Sequence, residues 1–343
     1  MIMLRGLRDS IRTCTSRWNT WSGLRELPKM AMHTSSGRGG EEERGGEVGA
    51  EGEQRAGARG GKSMANIKAV LQYDGTGFSG FQRQNNSQNS MNVGSNGLPQ
   101  PPPRTVQQEI ESVLRCLNKG EGTETFVAGR TDKGVHASGQ VIHFQLPNWF
   151  HGAKALHGAM NSTLPPDISI TSIEEVSPDF HARHSARFRR YEYTIFNHDH
   201  RSALVRNSAW HVPEPLDEDA MQEAANFLIG EHDFVSFGAP PEKRGHCVRT
   251  VLDIKVRRVS PCLIVVDVKG VSFLYHMVRN IVGSLRRVGS GKEPPARMKE
   301  WLEKRTRGAC GSPAPAQGLV LVEIGYDEND FSPRRVKQDD DQD

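Results

Sequence analysis

Residues 128–143 read Ala-Gly-Arg-Thr-Asp-Lys-Gly-Val-His-Ala-Ser-Gly-Gln-Val-Ile-His. One carboxylate, Asp132, sits among small residues, and a β-branched run follows it. Ser, Thr, Asp and Gly clustered between strands ordinarily make turns. Here Arg130 stands two places before the carboxylate, so a short loop offers both an anion and a cation. A scaffold that aims a carboxylate at a substrate needs that arrangement. Strands are expected on either side of it, over 124–128 and 140–145.

Outward from this loop, further strands are expected at 67–73 and 168–174. The stretch 105–117 predicts a helix. Thr105 and Gln108 make a capping box, and Val106, Ile110, Val113, Leu114 and Leu117 form one apolar stripe. A polar, Pro-rich run over 85–103 reads as a disordered loop insertion. The second half repeats the mixture. Strands are expected at 190–196, 253–258, 262–269 and 319–326. A helix is expected over 217–229, with Asp217 as cap, a Leu216–Met221 staple and Gly230 as stop. Two more are expected over 274–288 and after Pro295. Strands and helices alternate in both halves. This predicts an α+β fold of two related domains, 65–179 and 180–328, with mixed, mainly antiparallel sheets joined around a central basic cleft.

The chain of 343 residues is 36% hydrophobic and 25% charged, enough for one large or two medium cores. No apolar run approaches the roughly 20 residues that span a bilayer, so no membrane partner is expected. The five cysteines form no Cys-x-x-Cys pair, which indicates neither a zinc site nor a disulfide framework. The net charge of +3 decides little. Its distribution says more: residues 183–206 hold six arginines against Glu192 and Asp199, an excess that suits a polyanion and equally a solvated surface. The first 25 residues carry five arginines and one acid, and a Gly/Glu/Arg-rich stretch follows. Residues 1–64 therefore read as an unfolded extension of the kind that directs proteins to a mitochondrion or plastid, with cytoplasm or nucleus as the alternative. Residues 329–343 read as an acidic tail.

Two motifs mislead. Gly75-Thr-Gly-Phe-Ser-Gly80 matches a dinucleotide fingerprint, but no helix opens there and no acid follows about 20 residues on. Gly61-Lys-Ser63 imitates the end of a phosphate-binding loop, but Ala56 stands where its first glycine belongs.

The Asp132 loop and the segments around it resemble the TruA family of tRNA pseudouridine synthases over roughly 67–326. The resemblance rests on ordered motifs: Tyr73-Asp-Gly-Thr76, Arg104-Thr-Val-Gln107, Gly129-Arg-Thr-Asp132 with Gly134-Val-His136, Phe180-His-Ala-Arg183, Arg190-Tyr191, His232-Asp-Phe234, Phe273-Leu-Tyr-His-Met-Val-Arg-Asn-Ile-Val-Gly283 and Gly318-Leu319. Phe81 stands where the family commonly has tryptophan, and Lys133 where it often has alanine. The resemblance implies a pseudouridine synthase fold, isomerisation of uridine in the anticodon arm of tRNA, no metal or organic cofactor, and a homodimer gripping one tRNA. It implies Asp132 as nucleophile and Arg279 as its partner. It implies Tyr191 against the flipped base, Arg130 in the vacated stack and Leu319 lining the base pocket. On their own residues these positions also admit plainer roles. Asp132 could cap backbone. Tyr191 shares a face with Tyr193 and Ile195, as a core residue would. Arg279 falls off its helix's apolar stripe, and Leu319 suits a strand core. Lys133, Arg183, Arg187, Arg189 and Arg190 are the basic candidates for tRNA contact. A tRNA-binding or folding chaperone with dispensable catalysis is the alternative. An aspartate-based phosphatase would want a second carboxylate at 134, which is glycine.

Overall fold

The computed structural model describes residues 66–83, 103–149, 151–239 and 246–326. The expected extension over 1–64, the insertion over 85–103 apart from Pro103, and the tail over 329–343 lie outside the described residues. Fifteen elements follow one another: β1 (Asn66–Tyr73), α1 (Val106–Leu117), β2 (Phe126–Val127), β3 (His136–Gln145), α2 (Gly152–Thr163), β4 (Ile168–Val176), β5 (Phe188–Asn197), β6 (Trp210–Val212), α3 (Glu218–Asn226), β7 (Gly230–Asp233), β8 (Val248–Ser260), β9 (Leu263–Gly270), α4 (Met277–Gly289), α5 (Arg297–Glu303) and β10 (Leu319–Gly325). The fold is α+β, as the interleaving of the sequence predicts.

All ten described strands join one sheet, in the order β4-β1-β3-β10-β5-β9-β8-β7, with β2 on β3 and β6 on β5. The β3–β10 and β5–β6 pairs are parallel and the rest antiparallel. The sheet is thus continuous through both sequence halves, and they meet where β10 lies between β3 and β5. β3 gives one edge to β1. Its other edge pairs with β10 at His136 and Ala137 and with β2 at Ile142 and His143. The loop carrying Asp132 leaves β2 and enters β3 between those two partners.

Local chemistry accounts for the elements. In β1, Ile67, Ala69, Leu71 and Tyr73 alternate into the core. β3 has a partner on each edge and buries Val141, Ile142, His143 and Phe144 consecutively, as a central strand does. Thr105 Oγ1 caps α1 by accepting the Gln108 N–H at 3.4 Å. The Asp217 carboxylate caps α3 through the Asp219 and Ala220 N–H groups, both at 3.0 Å. α3 ends at Asn226, short of the expected 229, and Gly230 opens β7 instead of stopping the helix. α2 has no counterpart in the sequence reading. It buries only Leu156 and Met160 in a Gly- and Ala-rich segment, so its periodicity is faint. β8 runs well beyond the expected 253–258.

α4 begins at Met277, three residues after the apolar pattern does. Tyr275 is held in an isolated bridge to Ala239, and His276 is left-handed at φ 61°, so the helix cannot start earlier.

Candidate active site

The Asp132 loop is fastened from several directions. Thr131 is buried, and its hydroxyl pairs with the Tyr73 phenol at 2.7 Å. Its carbonyl accepts the Phe81 N–H at 3.2 Å. Gln140 Nε2 donates to the Gly129 carbonyl at 2.7 Å, and Val135 N–H donates to the Asp132 carbonyl at 3.1 Å. Gly75 packs against the same turn, and a Cβ there would lie 2.1 Å from the Val135 carbonyl oxygen. This explains two stretches of the sequence. Tyr73-Asp-Gly-Thr76 supplies an anchor and the space beside it. Phe81 holds the loop through its backbone, which a tryptophan would also offer.

The second half of the site comes from α4. Arg279 Nη1 donates to Asp132 Oδ2 at 3.2 Å, across 147 residues of sequence. Arg279 Nε donates to the Ala314 carbonyl at 2.7 Å, and the Ala314 N–H returns to the Arg279 carbonyl at 2.9 Å. This chain runs against the helix because position 283 is glycine: a Cβ there would lie 2.0 Å from the Ser312 carbonyl oxygen. The Asp132 side chain is 20% exposed and the Arg279 side chain 14%. The anion is therefore neither sealed in the core nor loose in solvent.

His276 completes the group. Its Nε2 lies 3.3 Å from Asp132 Oδ2. Burial holds its imidazole below the ordinary value and Arg279 pushes the same way, while Asp132 pulls against both. The sequence reading missed this residue. Its signal was the three-residue spacing to Arg279 within one motif.

Tyr191 is 9% exposed and meets Phe273 edge-on, with centroids 5.3 Å apart. Burial raises its phenol well above the usual range, with Tyr73 and Asp132 adding to the effect. It therefore lies within the electrostatic reach of the carboxylate. Leu319 is buried opposite Tyr193, two places from the Leu321–Tyr191 pair.

The basic residues divide. Arg130 and Lys133 are exposed on the loop, and Arg183 and Arg187 are exposed before β5. Arg189 points inward. Its guanidinium donates to the carbonyls of Val271 at 2.9 Å, Ala128 at 3.0 Å and Arg183 at 2.9 Å, bracing three segments around the site. Arg190 lies among carboxylates: Asp267 at 2.6 Å, Glu192 at 2.7 Å and Glu323 at 3.8 Å. Asp267 above all raises its pKa. These two arginines are occupied in holding β5.

Among the described residues, one group gathers three potential metal-ligand atoms within 4.8 Å, the His198-Asp199-His200 turn. It follows the far end of β5 from Arg189 and Tyr191.

Residues 224–327, which include His276 and Arg279, match the family profile described as tRNA pseudouridine synthase. The chain is 40% identical over 271 residues to tRNA pseudouridine synthase A of Streptococcus agalactiae, covering 78% of this chain and 98% of that protein. It is 42% identical over 262 residues to the protein of the same name in Bacillus pumilus, covering 76% and 99%. For the Klebsiella pneumoniae protein the values are 40% over 263 residues, covering 77% and 90%. The chain belongs to the tRNA pseudouridine synthase A family. As a tRNA pseudouridine synthase A family member it spans nearly the full length of these relatives. It assembles Asp132, His276 and Arg279 from two distant parts of that span.

Proposed function

We propose that this chain isomerises uridine to pseudouridine in the anticodon arm of tRNA, with Asp132 as nucleophile and two copies of the chain gripping one tRNA. The observation that carries the reading is the Asp132 carboxylate, partly exposed, with Arg279 donating to one of its oxygens and His276 beside that same oxygen. The reaction breaks the C1′–N1 bond, turns the base and forms a C1′–C5 bond. N1 gains a proton and C5 loses one, so no oxidant or group donor enters the balance. A carboxylate serves by covalent attack on ribose or base, or by taking a proton. A hydrogen-bonding cation beside it keeps it aimed.

The target base lies in an RNA stem and must be extruded first. Arg130, exposed at the mouth of the loop, is suited to fill the vacated stack, since a guanidinium both stacks and binds phosphate. Tyr191 and Leu319 offer the everted base an apolar wall. Lys133, Arg183 and Arg187 supply charge for the phosphates.

The test is tRNA treated with a carbodiimide that marks pseudouridine, after incubation with wild type or Asp132→Ala. Wild type is expected to produce marks in the anticodon arm and the variant none. Identical marks from both would remove Asp132 from the mechanism.

A further inference from the structure

Tyr275 is 56% exposed, yet its surroundings are rigid. Its N–H donates to the Ala239 carbonyl at 2.9 Å, and the Ala239 N–H returns to its carbonyl at 3.4 Å. The next residue, His276, is fixed in the left-handed region at φ 61° and ψ 5°. A non-glycine residue there is strained, and such strain gathers where a side chain must be aimed. The two rings stack, with centroids 3.8 Å apart and planes 25° from parallel. The outer face of the phenol ring is left to solvent, and its hydroxyl has no hydrogen-bond partner among the described residues. Packing alone does not explain an aromatic ring held in that way.

A cavity of about 350 Å³ adjoins the stack, walled in part by Asn280, Arg307 and Ser312. No carboxylate lines it, and Arg307 brings a positive charge to its wall. A larger cavity of about 580 Å³ beside His143 and His181 is lined by Glu121, Glu124 and Asp179, which would repel phosphate. The smaller one suits a nucleotide. His276 reaches Asp132 at 3.3 Å, so the platform touches the reacting carboxylate itself.

We propose that the Tyr275–His276 stack and this cavity form a second base-binding subsite, which takes an unpaired nucleobase close in the strand to the uridine that Asp132 attacks. Unstacked bases in RNA are commonly received on aromatic rings, and their amide edges on groups such as Asn and Ser. The subsite rests on the proposed reaction for its RNA. It goes beyond that reaction by giving the enzyme a hold on a base it does not change.

The test measures single-turnover rate and affinity of the full chain with an anticodon stem-loop RNA, and walks an abasic residue through the nucleotides flanking the target. Tyr275→Ala is expected to weaken binding roughly five- to 150-fold, the range of one lost base stack, with a much smaller effect on the rate at saturation. Tyr275→Phe is expected to recover most of the affinity. One abasic position should weaken wild type by a similar factor and leave Tyr275→Ala unaffected. Unchanged affinity in Tyr275→Ala, a loss confined to the saturated rate, or full additivity at every abasic position would overturn the subsite. Asp132→Asn separates the two readings. It should bind RNA and convert none, and if it converts normally the proposed reaction fails whatever Tyr275 does.

Discussion

Arg279 Nη1 and His276 Nε2 both lie close to Asp132 Oδ2, at 3.2 and 3.3 Å. Arg279 does two things at once, fixing Oδ2 and gripping the Ala314 carbonyl. A lysine keeps the charge but cannot fork between those acceptors. Arg279→Lys is therefore expected to bind tRNA normally and lose roughly 10- to 150-fold in single-turnover rate, the worth of one hydrogen bond to a charged group. Away from the site, His143 makes stability depend on pH. Its Nδ1 accepts the Ala182 N–H at 3.1 Å, so the neutral ring is the folded form. Burial first, and then repulsion from His181 and His184, lowers its pKa to about 4. In the unfolded chain an imidazole titrates near ~6.5, so as pH falls the unfolded state takes up the proton first. The stability is full above about pH 6.5, declines on the way down to about 4, and the loss is on the order of 2–3 kcal/mol. Urea denaturation at pH 7 and pH 4.5 should show this decline in wild type and a much smaller one in His143→Gln. Equal declines would locate the effect elsewhere.

At the scale of elements, α1 and α3 were legible because cap and stripe agree, and β1 because its alternation is clean. α2 was not, since two buried residues in twelve leave no period to read. β6 and β7 are short edge strands held by backbone pairing, to which side chains add little signal. The Asp132–Arg279 pair was reached through resemblance, because the apolar stripe of α4 alone leaves Arg279 on a solvated face. What corrected that face was the chain over 312–314, which covers it. Helical periodicity carries no record of a non-helical neighbour. His276 was hidden for a related reason: the stripe begins before the helix does. The contact between α4 and 312–314 is tight enough to test. Gly283→Ala would place a methyl where the Ser312 carbonyl stands. It is expected to cost roughly 1–3 kcal/mol by overpacking. It should also lower the catalytic rate, because Ala314 moves with Ser312. A melting curve and a single-turnover assay on the same sample check both effects.

Across the whole molecule, charge near the site serves two ends that composition could not separate. Arg183 and Arg187 are exposed before β5, whereas Arg189 and Arg190 hold the sheet together. Only cations that meet phosphate release counterions on binding. Changing Arg183 and Arg187 together to alanine should flatten the salt dependence of tRNA affinity, with log affinity against log salt losing about 1–2 in slope. Arg190→Ala should leave that slope alone and lower the melting temperature instead, and a reversed pattern would refute the division. The route of the chain through the sheet has a last consequence. The carboxylate leaves the ribosome 147 residues ahead of its guanidinium partner, and β10, which seats the two halves side by side, comes later still. A nascent or clipped polypeptide that stops short of α4 thus carries Asp132 without Arg279. The two groups are brought together only once that final strand is laid between β3 and β5.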